Sequence, residues 1–219
     1  MIFVNYKTFE EGFGQNAVAL TKTLEEVAHE SQVKIVPVVQ IIDAETIVTS
    51  TTLEVWIQHV DPLSYGAHTG WTLPEEAAKA GVSGVFLNHS EHKFDSFDSL
   101  YTANEKAMSA NLKTLIFAGT LDELKKVCDL APTYVAYEPP ELVGSTTTSV
   151  SRAQPEIISK AYDIAREAGL PLVVGAGVSS MEDVKKSLEL GAVGVAVATA
   201  VVKATDPKVK LMELTEGFK

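Results

Sequence analysis

A chain with one cysteine, Cys128, has no internal disulfide framework. The spacing of Cys128 from Leu121 and Leu124 puts it on the apolar stripe of a helix, so it reads as core, with a reactive thiol the poorer alternative. No apolar run approaches the roughly 20 residues that a membrane helix needs. The start, MIFVNYKTF, has neither the basic region nor the cleavage site of a signal peptide. A soluble, cytoplasmic protein is expected. Basic residues are also scarce: 18 Lys and Arg stand against 29 Asp and Glu, for a net charge of −11. That balance repels nucleic acid and anionic membranes at long range, so neither is an expected partner, and an anionic ligand needs a locally positive pocket. No G-x-G-x-x-G follows the first strand-like run, which leaves a dinucleotide-binding reading without support.

What the chain does have is apolar material, 46% of 219 residues, enough for one sizeable core. It comes in short runs: IFVNY from 2, KIVPVVQ from 34, EVWIQHV from 54, GVFLNH from 84, KTLIFAG from 113, YVAYEP from 134, PLVVGAG from 171 and GVAVATA from 194. Most are continuous rather than alternating, as expected of parallel strands covered on both faces. Between them lie stretches of helical spacing such as LDELKKVCDL from 121 and QPEIISKAYDIAREAG from 154, where Ile157, Ala161, Ile164 or Ala165, and Ala168 share a face. Pro74 and Pro155 sit at helix starts ahead of acidic residues, and Gly81, Gly169 and Gly191 end helices before the next strand.

AGVSGVFL from 80 and LGAVGVAV from 190 form a weak internal repeat of one βα unit. Strand and helix alternate with no linker or break in composition, so one domain over residues 1–219 is expected, a single (β/α)8 barrel at the lean end of the usual size. An open doubly wound sheet is the rival. Two features weigh against closure: a short second connection, DAETIVTS from 43, and Pro37 inside a strand, where it removes a ladder donor.

In a barrel the C-terminal strand ends carry the chemistry. The first run leaves through Asn5, Tyr6 and Lys7, where Lys7 taken alone reads as a solvated surface lysine. The fourth enters LNHSEHKFDSF, so His89 begins a turn whose free N–H groups favour a neutral ring; a capping or core histidine is the equal alternative. His89, Glu91 and His92 lie within four positions and lack a distant fourth ligand, so no metal is expected. The sixth run ends in Glu138, which Pro139 and Pro140 hold extended ahead of Gly144 and the small residues up to Ser151. A carboxylate at the root of a loop able to cover a pocket suits proton abstraction; the plain alternative is a solvated loop. The seventh and eighth runs end in Gly175-Ala176-Gly177-Val178 and Ala198-Thr199-Ala200, whose small side chains let backbone N–H groups approach an anion.

The combination resembles the triosephosphate isomerase family, particularly its shorter archaeal form, over essentially the whole chain. FVNYKTF, GAHTG from 66, NHSEHK from 88, YEPPELVG from 137 and VGAGVSS from 174 carry the resemblance. It implies interconversion of dihydroxyacetone phosphate and D-glyceraldehyde 3-phosphate through an enediol or enediolate, within glycolysis and gluconeogenesis, with no cofactor. By the same resemblance Glu138 is the base, His89 the electrophile and Lys7 the substrate-binding cation beside Asn5, with Glu91 supporting the charged network. Substrate contacts are expected from Asn5, Tyr6, Lys7, Val143, Gly144, Gly177, Ala198, Thr199 and Ala200, with a mobile lid after strand six. Thr69 corresponds to the residue that the family inserts into a neighbouring subunit, implying a homodimer or homotetramer. The chain departs from the family at the lid tip, where Ser145-Thr146-Thr147-Thr148-Ser149 stands in place of a second glycine, and at Thr199-Ala200, in place of Ser-Gly. Two alternatives are another phosphate-binding barrel, such as a metal-dependent sugar-phosphate epimerase, and a catalytically silent barrel that binds sugar phosphates or proteins.

Overall fold

The computed structural model describes residues 1–139 and 155–219. Eight parallel strands close into a barrel in sequence order: β1 (Ile2–Asn5), β2 (Ile35–Val39), β3 (Trp56–Ile57), β4 (Gly84–Leu87), β5 (Lys113–Ala118), β6 (Tyr134–Tyr137), β7 (Leu172–Val174) and β8 (Gly194–Val197). The last strand returns to the first, with Ile2 opposite Val195, so the sheet has no edge and the open-sheet alternative falls. Each run read as a strand contributes one, although EVWIQHV yields only the pair Trp56 and Ile57.

Helices cover the outside: α1 (Gly14–Ser31), α2 (Ile41–Ser50), α3 (Pro74–Lys79), α4 (Phe97–Ser109), α5 (Leu121–Cys128), α6 (Pro155–Glu167), α7 (Met181–Glu189), α8 (Thr199–Val202) and α9 (Pro207–Glu216). Their boundaries follow local chemistry. Pro74 and Pro207 stand in the first turns of α3 and α9, Ser180 closes a capping box with Asp183 at α7, and Gly81, Gly169 and Gly191 take positive φ just beyond helix ends. The short second connection is a true helix, begun two residues before the DAETIVTS segment. On α6 the buried face centres on Ile158, Ala161 and Ala165, with Ile157 and Ile164 on its flanks. Ala168 is exposed, which corrects the face read from spacing.

Pro37 also finds a place. Ile2 N–H donates to Lys34 O and Tyr6 N–H to Val38 O, so the even-numbered residues of β2 face β1 and Pro37 faces β3. Pairing with β3 begins only at Val38 opposite Trp56, so the missing donor leaves no acceptor waiting.

The barrel interior and the layer beneath the helices form two cores, divided by the alternation of side chains along each strand. Phe3, Trp56, Phe86, Leu115, Phe117 and Val173 fill the interior, while Ile2, Val4, Ile35 and Val85 pack outward against helices. Gly84 shows how tight the interior is: a Cβ built there would sit 2.3 Å from the fully buried Trp56 ring. Cys128 is buried on α5, as its spacing predicts. Among the described residues no helix is long and apolar enough to cross a membrane.

Candidate active site

The interior aromatic layer stops short of the C-terminal strand ends, and a cleft of about 410 Å³ opens above it. Its floor includes Phe86 and Phe117, and its walls include Asn5, Lys7, His89, Glu138, Gly177 and Ala198 to Ala200. Six of the sequence-read site residues, together with Glu138 and His89, thus converge from β1, β4, β6, β7 and β8 although they are far apart along the chain.

Glu138 follows β6 directly and is only 4% exposed. Its Oε1 lies 3.4 Å from His89 Nε2, and its Oε2 accepts a 2.9 Å hydrogen bond from the Ser90 hydroxyl. Gly175 lies beside this carboxylate: a Cβ built there would sit 3.4 Å from Oε1, in ordinary contact. His89 leaves β4 through Asn88, and the Glu91 backbone N–H donates to its Nδ1 at 3.2 Å. A ring nitrogen that accepts a hydrogen bond carries no proton, so the neutral ring presents Nε2–H to the cleft. Phe117 supports the ring edge-on, with centroids 4.9 Å apart.

Lys7 emerges from β1 in the left-handed region, φ +48°, unusual for a residue with a Cβ. Two side chains hold it there. Asn5 Oδ1 accepts from the Lys7 N–H at 2.9 Å, and Gln58 Nε2 donates to both Asn5 Oδ1 at 3.2 Å and Lys7 O at 2.9 Å. The Lys7 ammonium pairs with Glu91 Oε1 at 2.6 Å, so Glu91 links Lys7 to His89: its backbone orients the neutral ring and its carboxylate holds the ammonium. Lys203 and Lys210 also reach the cleft wall, bonded to Glu11 and Glu213. A chain of net charge −11 therefore gathers three ammonium groups around one cavity.

Tyr6 does not join the site. Its side chain is fully buried on the outer face of β1 with its hydroxyl 2.8 Å from Thr21 Oγ1, and burial pushes that hydroxyl's pKa well above its ordinary value. Strand alternation explains the correction: Asn5 faces inward, so Tyr6 faces the helices. Val143 and Gly144 lie outside the described residues, as does the lid tip. Thr69 sits exposed on a loop whose ends are clipped by Asp61, through Asp61 N–H to Thr72 O at 2.9 Å and Thr72 N–H to Asp61 Oδ2 at 2.7 Å. His92 stacks on His59, centroids 4.1 Å apart, and among the described residues no group of three or more His, Cys, Asp or Glu is placed to hold a metal. Sequence reading missed Gln58, Ser90, Lys203 and Lys210. Gln58 and Ser90 carried a usable signal, being polar residues close to strand ends; the two lysines, one directly after α8 and one within α9, carried none.

Comparison with known proteins places the chain in a family. The family described as triosephosphate isomerase matches residues 1–216. The triosephosphate isomerase of Metallosphaera sedula is 37% identical over 218 residues, covering 99% of this chain and 95% of that protein. Those of Methanocaldococcus jannaschii and Sulfurisphaera tokodaii are 36% and 37% identical, covering 98% and 97% of this chain and 98% and 92% of those proteins. The chain belongs to the triosephosphate isomerase family, whose members are aldose–ketose isomerases.

Proposed function

We propose that this protein interconverts dihydroxyacetone phosphate and D-glyceraldehyde 3-phosphate, as a cytoplasmic homo-oligomer of one-domain barrels working in glycolysis and gluconeogenesis. The observation that carries the reading is the 3.4 Å approach of the Glu138 carboxylate to His89 Nε2 in a lysine-lined cleft. The Glu138 carboxylate takes a proton from the carbon beside the substrate carbonyl while His89 Nε2–H donates to the oxygen. An enediol(ate) results, and the proton returns to the neighbouring carbon. A neutral imidazole beside a carboxylate base is an arrangement for which this family is itself the type case. The base supplies roughly 10²- to 10⁴-fold, about 3–5 kcal/mol, and fixed donors a comparable amount.

Lys7 attracts the phosphate dianion and offsets charge on the enediolate, with Asn5 beside it and Glu91 holding the ammonium. Gly177 and the turn Ala198-Thr199-Ala200 offer backbone N–H groups to the phosphate, joined by Val143 and Gly144 from a lid after β6 that excludes water. The Ser90 hydroxyl holds Glu138 at rest and releases it when substrate arrives. Thr69 contacts a second subunit of a dimer or tetramer. A coupled assay on dihydroxyacetone phosphate tests the reading: turnover is expected, and Glu138→Gln is expected to lose nearly all of it while keeping the fold. Near-normal turnover in the pure variant removes Glu138 as base.

A further inference from the structure

We infer that Glu123 is a positioning residue for this reaction, its carboxylate stapling the turn that carries His89 and Ser90 to the end of β5. The inference rests on the reading of His89 and Glu138 given above. Glu123 stands in the first turn of α5, outside the cleft, and its two oxygens receive four hydrogen bonds. Oε1 accepts from Asn88 Nδ2 at 2.9 Å and Lys93 Nζ at 2.9 Å, and Oε2 accepts from Gly119 N–H at 2.8 Å and Lys93 Nζ at 3.0 Å. Asn88 and Lys93 bracket the turn that contains His89, Ser90 and Glu91. One carboxylate therefore grips both ends of the catalytic turn and the residue after β5.

The grip matters because of what lies on either side of it. Asn88 holds φ +59°, a left-handed conformation that most residues with a Cβ avoid and that Asn tolerates best when its side chain is hydrogen-bonded. That conformation sets the direction in which the chain enters His89, and Asn88 Nδ2 secures it with a second bond to Phe117 O at 3.0 Å. The next residues of β5 serve the site in turn: Phe117 supports the His89 ring, Ala118 O accepts from Glu138 N–H at 2.9 Å, and Gly119 N–H reaches Glu123. A shift of Glu123 thus moves the imidazole and the base relative to each other. The staple also requires a carboxylate, since an amide has one accepting oxygen and would turn its NH₂ against Gly119 N–H or the Asn88 amide. Burial pushes the Glu123 carboxyl up, but the bonds from Gly119, Lys93 and Asn88 outweigh it and hold the group below the ordinary carboxylate range.

Glu123→Gln and Glu123→Ala test the inference, with steady-state kinetics on dihydroxyacetone phosphate and ¹⁵N NMR of the His89 ring. A misplacement near 1 Å costs about 10²-fold, so kcat is expected to fall roughly 10- to 100-fold. KM should stay within about twofold, because the phosphate turns lie outside the stapled segment and Asn5 and Gln58 still hold the Lys7 backbone. The His89 nitrogens should change from a single Nε2–H tautomer to a mixture. In a His89→Gln background, Glu123→Gln should cost less than about threefold more, since both act through one ring. Unchanged kcat, a KM rising in step with the loss of kcat, an unchanged His89 spectrum, or full additivity with His89→Gln overturns the inference. Failure of both variants to fold overturns it too, making Glu123 a residue of the fold alone. Full activity in His89→Gln would instead remove the underlying mechanism, and the NMR comparison would still judge the staple.

Discussion

Lys7→Ala separates charge from fold at this site. The Lys7 side chain is 14% exposed, while its partner Glu91 is 53% exposed. Removing the ammonium thus leaves a carboxylate that water can solvate, and the cost to stability is about 0–1 kcal/mol. The catalytic cost is larger. A unit charge about 4 Å from a phosphate or enediolate oxygen, at an effective dielectric near 20, contributes about 4 kcal/mol, or roughly 10³-fold in kcat/KM. The backbone supplies an internal control. At φ +48° a glycine avoids the strain that alanine keeps, so Lys7→Gly should be more stable than Lys7→Ala by roughly 1–2 kcal/mol, about 2–8 °C in Tm. Both variants should lose the same catalytic factor. Coupled kinetics on dihydroxyacetone phosphate and thermal melts of parent and variants decide the matter. A kcat/KM within tenfold of the parent, or activities that track the Tm difference, would refute the reasoning.

Other consequences follow from packing and charge. Gly84→Ala drives a methyl group into the Trp56 ring, and the overpacked interior should lose about 1–3 kcal/mol, roughly 2–12 °C in Tm; an unchanged melt contradicts the tight packing. Glu25 accepts first from the Thr52 N–H and then from the Thr52 hydroxyl, Lys22 and Thr51, which hold its carboxyl at about 2. Because that lies below the unfolded value near 4.3, the group stabilises the fold above about pH 4.3 and the contribution disappears as pH falls toward 2. Melts between pH 6 and 2 should therefore show a shallower acid loss for Glu25→Gln than for the parent, and parallel curves count against it. Burial, then Asp129, pushes the Cys128 thiol up, so a disulfide reagent should label it only on unfolding; rapid labelling of the native protein refutes its core assignment.

The barrel was legible because both faces of its strands are buried, which gives continuous apolar runs that no turn interrupts. Legibility weakened where tertiary pairing decides the outcome: the run EVWIQHV forms a ladder only at Trp56 and Ile57, and Ala168 drops out of the α6 face. Glu138, His89, Lys7 and Asn5 stand at the ends of strand runs, so strand direction brings them to one rim; Lys7 taken alone read as a solvated lysine and His89 equally as a core histidine, and only the family resemblance gave them roles. Tyr6 was misplaced although the needed rule was at hand, since a residue next to an inward Asn5 must point outward. Lys203 reaches the cleft from just after a four-residue helix, and Glu123 acts from outside it through Asn88, so neither follows from adjacency to a strand.

The central claim is that one carboxylate moves a proton between adjacent carbons of a three-carbon phosphate. The measurement that tests it most directly is proton NMR of the product formed from dihydroxyacetone phosphate in D₂O, compared for parent and Glu138→Gln. The parent should deliver product carrying solvent deuterium at the carbon that receives the proton, and the variant should neither turn over nor exchange. Deuterium entering equally fast without the Glu138 carboxylate would contradict the account.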